Sequence, residues 1–173
     1  MPSCSSGATA PSPERSPHAP ALGWYPTPTP TGFVLHLSAT PHHLQAIRGL
    51  TEKTLYGASV DDELTYAVQL VLSELCGNAV RACGDFVPLV AEVELEPGPG
   101  LPSGRGGAPA AAWVRLHDPR RDAGPRLTGV RLDDPYAESG RGLALVDVLA
   151  PGWDVIATPV GKQISCRIPL PGS

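Results

Sequence analysis

The sequence predicts an α+β fold in two layers, a sheet with helices on one of its faces. Three observations lead there. Residues 33–38, 89–95 and 111–118 alternate apolar and polar side chains, the pattern of half-buried strands. Residues 40–56 and 59–84 repeat apolar residues at helical spacing, with Leu64, Ala67, Val68, Val71, Leu72, Leu75 and Ala79 forming a continuous stripe in the second. A third apolar helix pattern opens at Gly140 and runs to Ala150, followed by a closing hairpin over 153–157 and 163–168 that turns at Pro159-Val160-Gly161.

The length of 173 residues allows one domain, and 42% hydrophobic residues supply a core for it. Aromatic residues at 5% and charged residues at 17% are sparse, while 21 Pro and 19 Gly assign much of the chain to loops. A net charge of -4 argues against nonspecific binding to nucleic acid. Cys4, Cys76, Cys83 and Cys166 form no C-x-x-C pair, and two of them fall inside a helical pattern. They read as small buried residues in a reducing compartment. No basic and apolar leader opens the chain, and no run approaches the ~20 apolar residues of a membrane helix. A cytoplasmic protein without membrane contact is expected.

Residues 1–30 hold eight prolines among Ser, Ala and Thr, which predicts a disordered tail that ends in an extended Pro-Thr repeat. The folded domain is expected over 31–170. Thr40 caps the first helix with Pro41 at its first position, burying Leu44, Ile47, Leu50 and Leu55, and Gly57 ends it. His42 and His43 are adjacent, so they do not share a helix face as metal ligands would. Ser59 is expected to cap the second helix, with Asp61, Asp62 and Glu63 at its positive end and Gly84 at its close. Residues 97–110 form a Gly/Pro-rich insert. Residues 119–139 have no period and mix Arg120, Arg121, Arg126 and Arg131 with Asp122, Asp133, Asp134 and Glu138, a length that suits a lid as well as a solvated loop.

Three features depart from ordinary core and surface. Glu74 and Asn78 are four apart, one above the other on the edge of the apolar stripe, where a carboxylate and a carboxamide need partners. From spacing alone a capped or solvated pair at the edge of the buried face is the ordinary explanation. Asp118 falls on the inward set of its strand with Ala112, Val114 and Leu116, or else begins the Asp-Pro turn. Gly140-Arg141-Gly142-Leu143 opens a helix whose free N–H groups suit an anion. It lacks the third glycine of a dinucleotide fingerprint, and the Walker pattern is absent.

In this order the three features resemble the ATP-binding domain shared by histidine kinases, gyrase, Hsp90 and MutL. The segments 72–81 and 140–150, followed by Trp153, look most like the bacterial anti-sigma-factor serine kinases and their actinobacterial relatives. The resemblance spans roughly residues 31–170. It implies a mixed, mainly antiparallel sheet with ATP held between helices and lid. It implies that Asn78 ligates Mg²⁺, Glu74 orients or deprotonates the attacking hydroxyl, and Asp118 accepts a hydrogen bond from the adenine amino group. It implies further that Gly140, Arg141, Gly142 and Leu143 wrap the phosphates. Where the family carries a glycine two residues after the Asp, this chain has Arg120.

The implied function is an ATP-binding regulator that phosphorylates a serine of an anti-sigma antagonist and holds a sigma factor when free of it; if an enzyme, it is an ATP-dependent protein serine/threonine kinase. The alternative is a non-catalytic module of the same fold that binds nucleotide or a partner. No direct nucleic-acid contact is implied, and a homodimer stays open. A metal hydrolase built on His117 and Asp118 would need further ligands at a recognisable spacing, and none is present.

Overall fold

The computed structural model describes residues 23–98, 109–121 and 141–170, with the side chain of Arg141 outside that description. Six strands form a single sheet: β1 (Trp24–Thr29), β2 (Gly32–Ala39), β3 (Val87–Pro97), β4 (Pro109–Asp118), β5 (Asp154–Thr158) and β6 (Gly161–Pro169). Their order is β1-β2-β3-β4-β6-β5. Three helices, α1 (Pro41–Gly57), α2 (Asp62–Cys83) and α3 (Arg141–Leu149), pack against one face. The expected α+β architecture is the observed one. The expectation of a mixed sheet is corrected: among the described residues every strand pair is antiparallel.

Register explains why one face is covered. Residues opposite one another across an antiparallel pair share a face, so Phe33, Val93, Val114 and Cys166 form one row beneath the helices. Leu35, Ala91, Leu116 and Ile164 form the next. All eight are buried. The α2 stripe read from the sequence lies over these rows, with Val68, Val71, Leu72, Leu75 and Cys76 fully enclosed. Each large aliphatic side chain buried there contributes about 1.5–3 kcal/mol relative to exposure. The opposite face bears an ion-pair cluster in which Arg115 holds Glu92 and Glu94 and lies 5.1 Å over the Trp113 ring.

The domain begins earlier than expected. Residues 24–29, assigned to a disordered tail, form β1 and pair with β2 in register Trp24↔Leu37 to Thr29↔Gly32. Pro26 and Pro28 are tolerated because β1 is an edge strand, where a missing N–H breaks no second ladder. The remainder of that segment, residues 1–22, lies outside the described residues, as does most of the Gly/Pro-rich insert.

β1 also moves the buried face of α1. Trp24 packs on His43 with ring centroids 5.5 Å apart, and His43 Nδ1 lies 2.8 Å from the Ser38 carbonyl oxygen. The buried set is therefore His43, Ile47, Thr51 and Leu55, while Leu44 and Leu50 are only half-buried. Thr40 caps α1 as expected, its hydroxyl accepting from His43 N. Gly57 ends α1 as expected, as its last helical residue, and the left-handed position that follows is Ser59, with φ 57°. One boundary expectation is corrected. Ser59 is thus in the turn, and Asp61 caps α2 by accepting from Leu64 N at 2.7 Å. An Asp at that position satisfies an orphan N–H and also complements the helix dipole.

Candidate functional site

Glu74 and Asn78 project from α2 at the rim of its buried face. Both are half-buried, and their neighbours Ser73, Leu75, Gly77 and Ala79 are buried. Arg81 extends the same line. Its guanidinium lies 3.8 Å from Glu74 Oε2 and donates to Asn78 Oδ1. Asn78 Nδ2 is buried without a hydrogen-bond partner. An orphaned donor in the interior is costly.

The start of α3 reaches this group directly. A Cβ on Gly142 would overlap the Glu74 carboxylate, so the backbone of α3 lies flush against that side chain. A side chain at this position would push the Glu74 carboxylate aside. Leu143, 8% exposed, and Val146, fully buried, tie the helix start to the core. Gly140 lies outside the described residues, as does the Arg141 side chain, so of the four expected phosphate-wrapping residues Gly142 and Leu143 are the two located here.

Asp118 closes β4 on the helix-covered face, as strict alternation predicts, and its turn role is real as well: Arg120 N donates to Asp118 Oδ1 at 2.8 Å. Cys83, at the end of α2, donates its thiol to the same oxygen at 3.7 Å. Burial first, then the Asp118 charge and that hydrogen bond, push the Cys83 thiol above its ordinary range, while Arg120 and Lys162 pull it back. Asp118 Oδ2 accepts from Lys162 Nζ at 2.9 Å, and both side chains are 4% exposed. Lys162 Nζ also donates to the Arg120 carbonyl at 2.9 Å. Gly161 makes the approach feasible: a side chain there would strike the Asp118 carbonyl and Pro119.

Lys162 was missed by motif reading, although its signal was present. On β6 it shares a parity with Ile164, Cys166 and Ile168, all buried, so period two aims a lysine at the apolar side. Arg81 carried no signal beyond its spacing. His117 points the other way, to Thr158 Oγ1 at 2.9 Å, on the face opposite Asp118. The two cannot share a metal. Among the described residues no group of three His, Cys, Asp or Glu side chains is arranged to hold an ion.

The sites lie in sequence along one helix. Glu74 and the α3 start are at one end, Asn78 one turn on, and Cys83 against Asp118 at the other. Glu74 and Cys83 are nine positions apart, about 13 Å of helix, the order of length of an extended nucleoside triphosphate. The histidine kinase-like ATPase domain model matches residues 37–168, well over half the chain. The chain belongs to the histidine kinase-like ATPase domain family. No curated protein matches the chain significantly. The family implies ATP as ligand. Mg²⁺ in its usual role beside phosphates takes few protein oxygens, and Asn78 Oδ1 is the one that α2 would offer, exchanging its Arg81 donor for the ion. Among the described residues no helix is long and apolar enough to cross a membrane.

Proposed function

We propose that the chain is an ATP-binding regulator of the anti-sigma type that phosphorylates a serine of an antagonist protein and sequesters a sigma factor when free of it. The observation that carries the reading is the placement of Glu74 and Asn78 along α2 with Asp118 of β4 against the end of that helix at Cys83, and the α3 N-terminus on Glu74 at Gly142. When bound, Mg²⁺ would supply charge neutralisation at the phosphates. Asp118 would accept the adenine amino group at the far end. Asn78 would offer its Oδ1 to the ion. Gly142 and the first N–H groups of α3 would receive phosphate oxygens.

Glu74 would act on the substrate hydroxyl. The serine Oγ bonds to the γ-phosphorus, its proton passes to the Glu74 carboxylate, and the bond from phosphorus to the β–γ bridging oxygen breaks to release ADP. For that, Arg81 must leave the carboxylate. At 65% exposure its side chain is held weakly and is free to rotate towards solvent or phosphate.

The same contacts support a second reading, a non-catalytic nucleotide or partner module, because Arg81 engages both Glu74 and Asn78 and Lys162 engages Asp118. Two measurements separate the readings. ATP is titrated with Mg²⁺ or with EDTA, and transfer of labelled γ-phosphate to candidate antagonists is followed for wild type and Glu74→Gln. The kinase reading expects ATP binding to survive in Glu74→Gln while transfer falls by about 10²–10⁴-fold. Wild-type binding without any transfer supports the module. Equal transfer by both proteins removes Glu74 from the chemistry.

A further inference from the structure

We propose that Lys162 reads the nucleotide base, donating a hydrogen bond to the ring nitrogen beside the amino group that Asp118 accepts. The inference rests on the nucleotide reading above and adds to it a specificity residue. Asp118 Oδ2 and Lys162 Nζ are 2.9 Å apart, an acceptor and a donor side by side. The N6 and N1 edge of adenine presents a donor and an acceptor separated by one carbon, the complementary pair.

Both protein groups retain capacity. An ammonium has three N–H donors. Two are used, one on Asp118 Oδ2 and one on the Arg120 carbonyl, which leaves the third without a partner among the described residues. A carboxylate oxygen has two lone pairs. On Oδ2 one of them accepts Lys162, while Oδ1 is taken by Arg120 N and Cys83 Sγ. Among the described residues one acceptor lone pair and one donor hydrogen thus remain, and they belong to atoms 2.9 Å apart.

The ammonium is also held in place. β4 and β6 pair Asp118 directly with Lys162, and Gly161 brings β6 against the Asp118 carbonyl. The Arg120 carbonyl accepts a second hydrogen bond from Nζ at 2.9 Å. A lysine held by two hydrogen bonds reads a fixed atom, whereas an exposed lysine would contribute only diffuse charge.

The experiment compares ATP with its 1-deaza analogue, in which N1 is replaced by C–H and the amino group is kept. Equilibrium affinities are measured for wild type, for Lys162→Met, and for Lys162→Met combined with Asp118→Asn. The double variant removes both charges and keeps the test valid if the single one fails to fold. Wild type is expected to bind ATP about tenfold or more tightly than the analogue, the worth of a hydrogen bond from a charged donor. Both variants are expected to bind the two ligands with a ratio near one. A purely structural lysine would lower both affinities and leave the wild-type ratio unchanged. Equal wild-type affinities, or a preference that survives in the variants, overturn the inference and leave the nucleotide site standing. Absence of any ATP binding by wild type overturns the nucleotide reading itself and the inference with it.

Discussion

Lys162 Nζ and Asp118 Oδ2 meet at 2.9 Å across the β4–β6 ladder, each side chain 4% exposed. The carboxylate assigned to base recognition is therefore also half of a buried ion pair. Its removal has two consequences that must be measured separately.

Asp118→Asn should destabilise the fold by about 3–5 kcal/mol, because Lys162 is left as a buried charge without its partner. Where the variant stays folded, ATP affinity should fall by about 1–3 kcal/mol as a charged acceptor is lost. Combining it with Lys162→Met should restore most of the stability. A urea midpoint for Asp118→Asn equal to wild type would show that the pair does not support the structure.

Asn78→Ala addresses the metal. The described residues offer no second amide oxygen on that turn of α2, so the variant should lose the Mg²⁺-dependent part of nucleotide affinity while stability changes little. Removing an orphaned Nδ2 even offsets part of the lost packing. An Asn78→Ala protein that still binds ATP more tightly with Mg²⁺ than with EDTA would sink the assignment.

Gly142→Ala tests the contact between α3 and Glu74. Alanine in a helix is better than glycine by about 1 kcal/mol. Here its Cβ would enter the Glu74 carboxylate, the far end of a flexible side chain, so Glu74 must swing aside and the gain should shrink below that value. In a Glu74→Ala background the same substitution should deliver the full gain. An equal gain in both backgrounds, by thermal denaturation, would mean that α3 does not rest on Glu74.

The thiols give a test by pH. Burial pushes Cys76 and Cys166 up to about 12, so neither should be alkylated in the folded protein near neutral pH. Cys83 is raised by burial and by Asp118. A raised thiol is neutral in both states below the ordinary value of ~8.5, and stability from this source falls as pH climbs above it. In a Cys4→Ser background, Cys83 labelling should be slower than that of a free thiol at pH 8.5, with its inflection at higher pH. Asp118→Asn should move the inflection down. An inflection unaffected by Asp118→Asn would deny the contact between them.

What the chain determined locally was legible in advance. Periodicity alone reported the central strands, all three helices and the inward aim of Asp118, because the 2.0 and 3.6 periods are properties of the backbone and survive any packing. Glu74 and Asn78 stood out since polar side chains on the edge of an apolar stripe are costly wherever the helix docks. The tertiary structure decided the rest. β1 was hidden because its prolines oppose a strand in general and are tolerated only at an edge, a fact of sheet order. The buried face of α1 turned towards His43 only because Trp24 of that strand waits there. Lys162 joins Asp118 through strand pairing between residues 44 positions apart in sequence, and Gly142 meets Glu74 through the packing of α3 on α2. No local pattern encodes such contacts, since they depend on which elements become neighbours once the apolar faces are buried together.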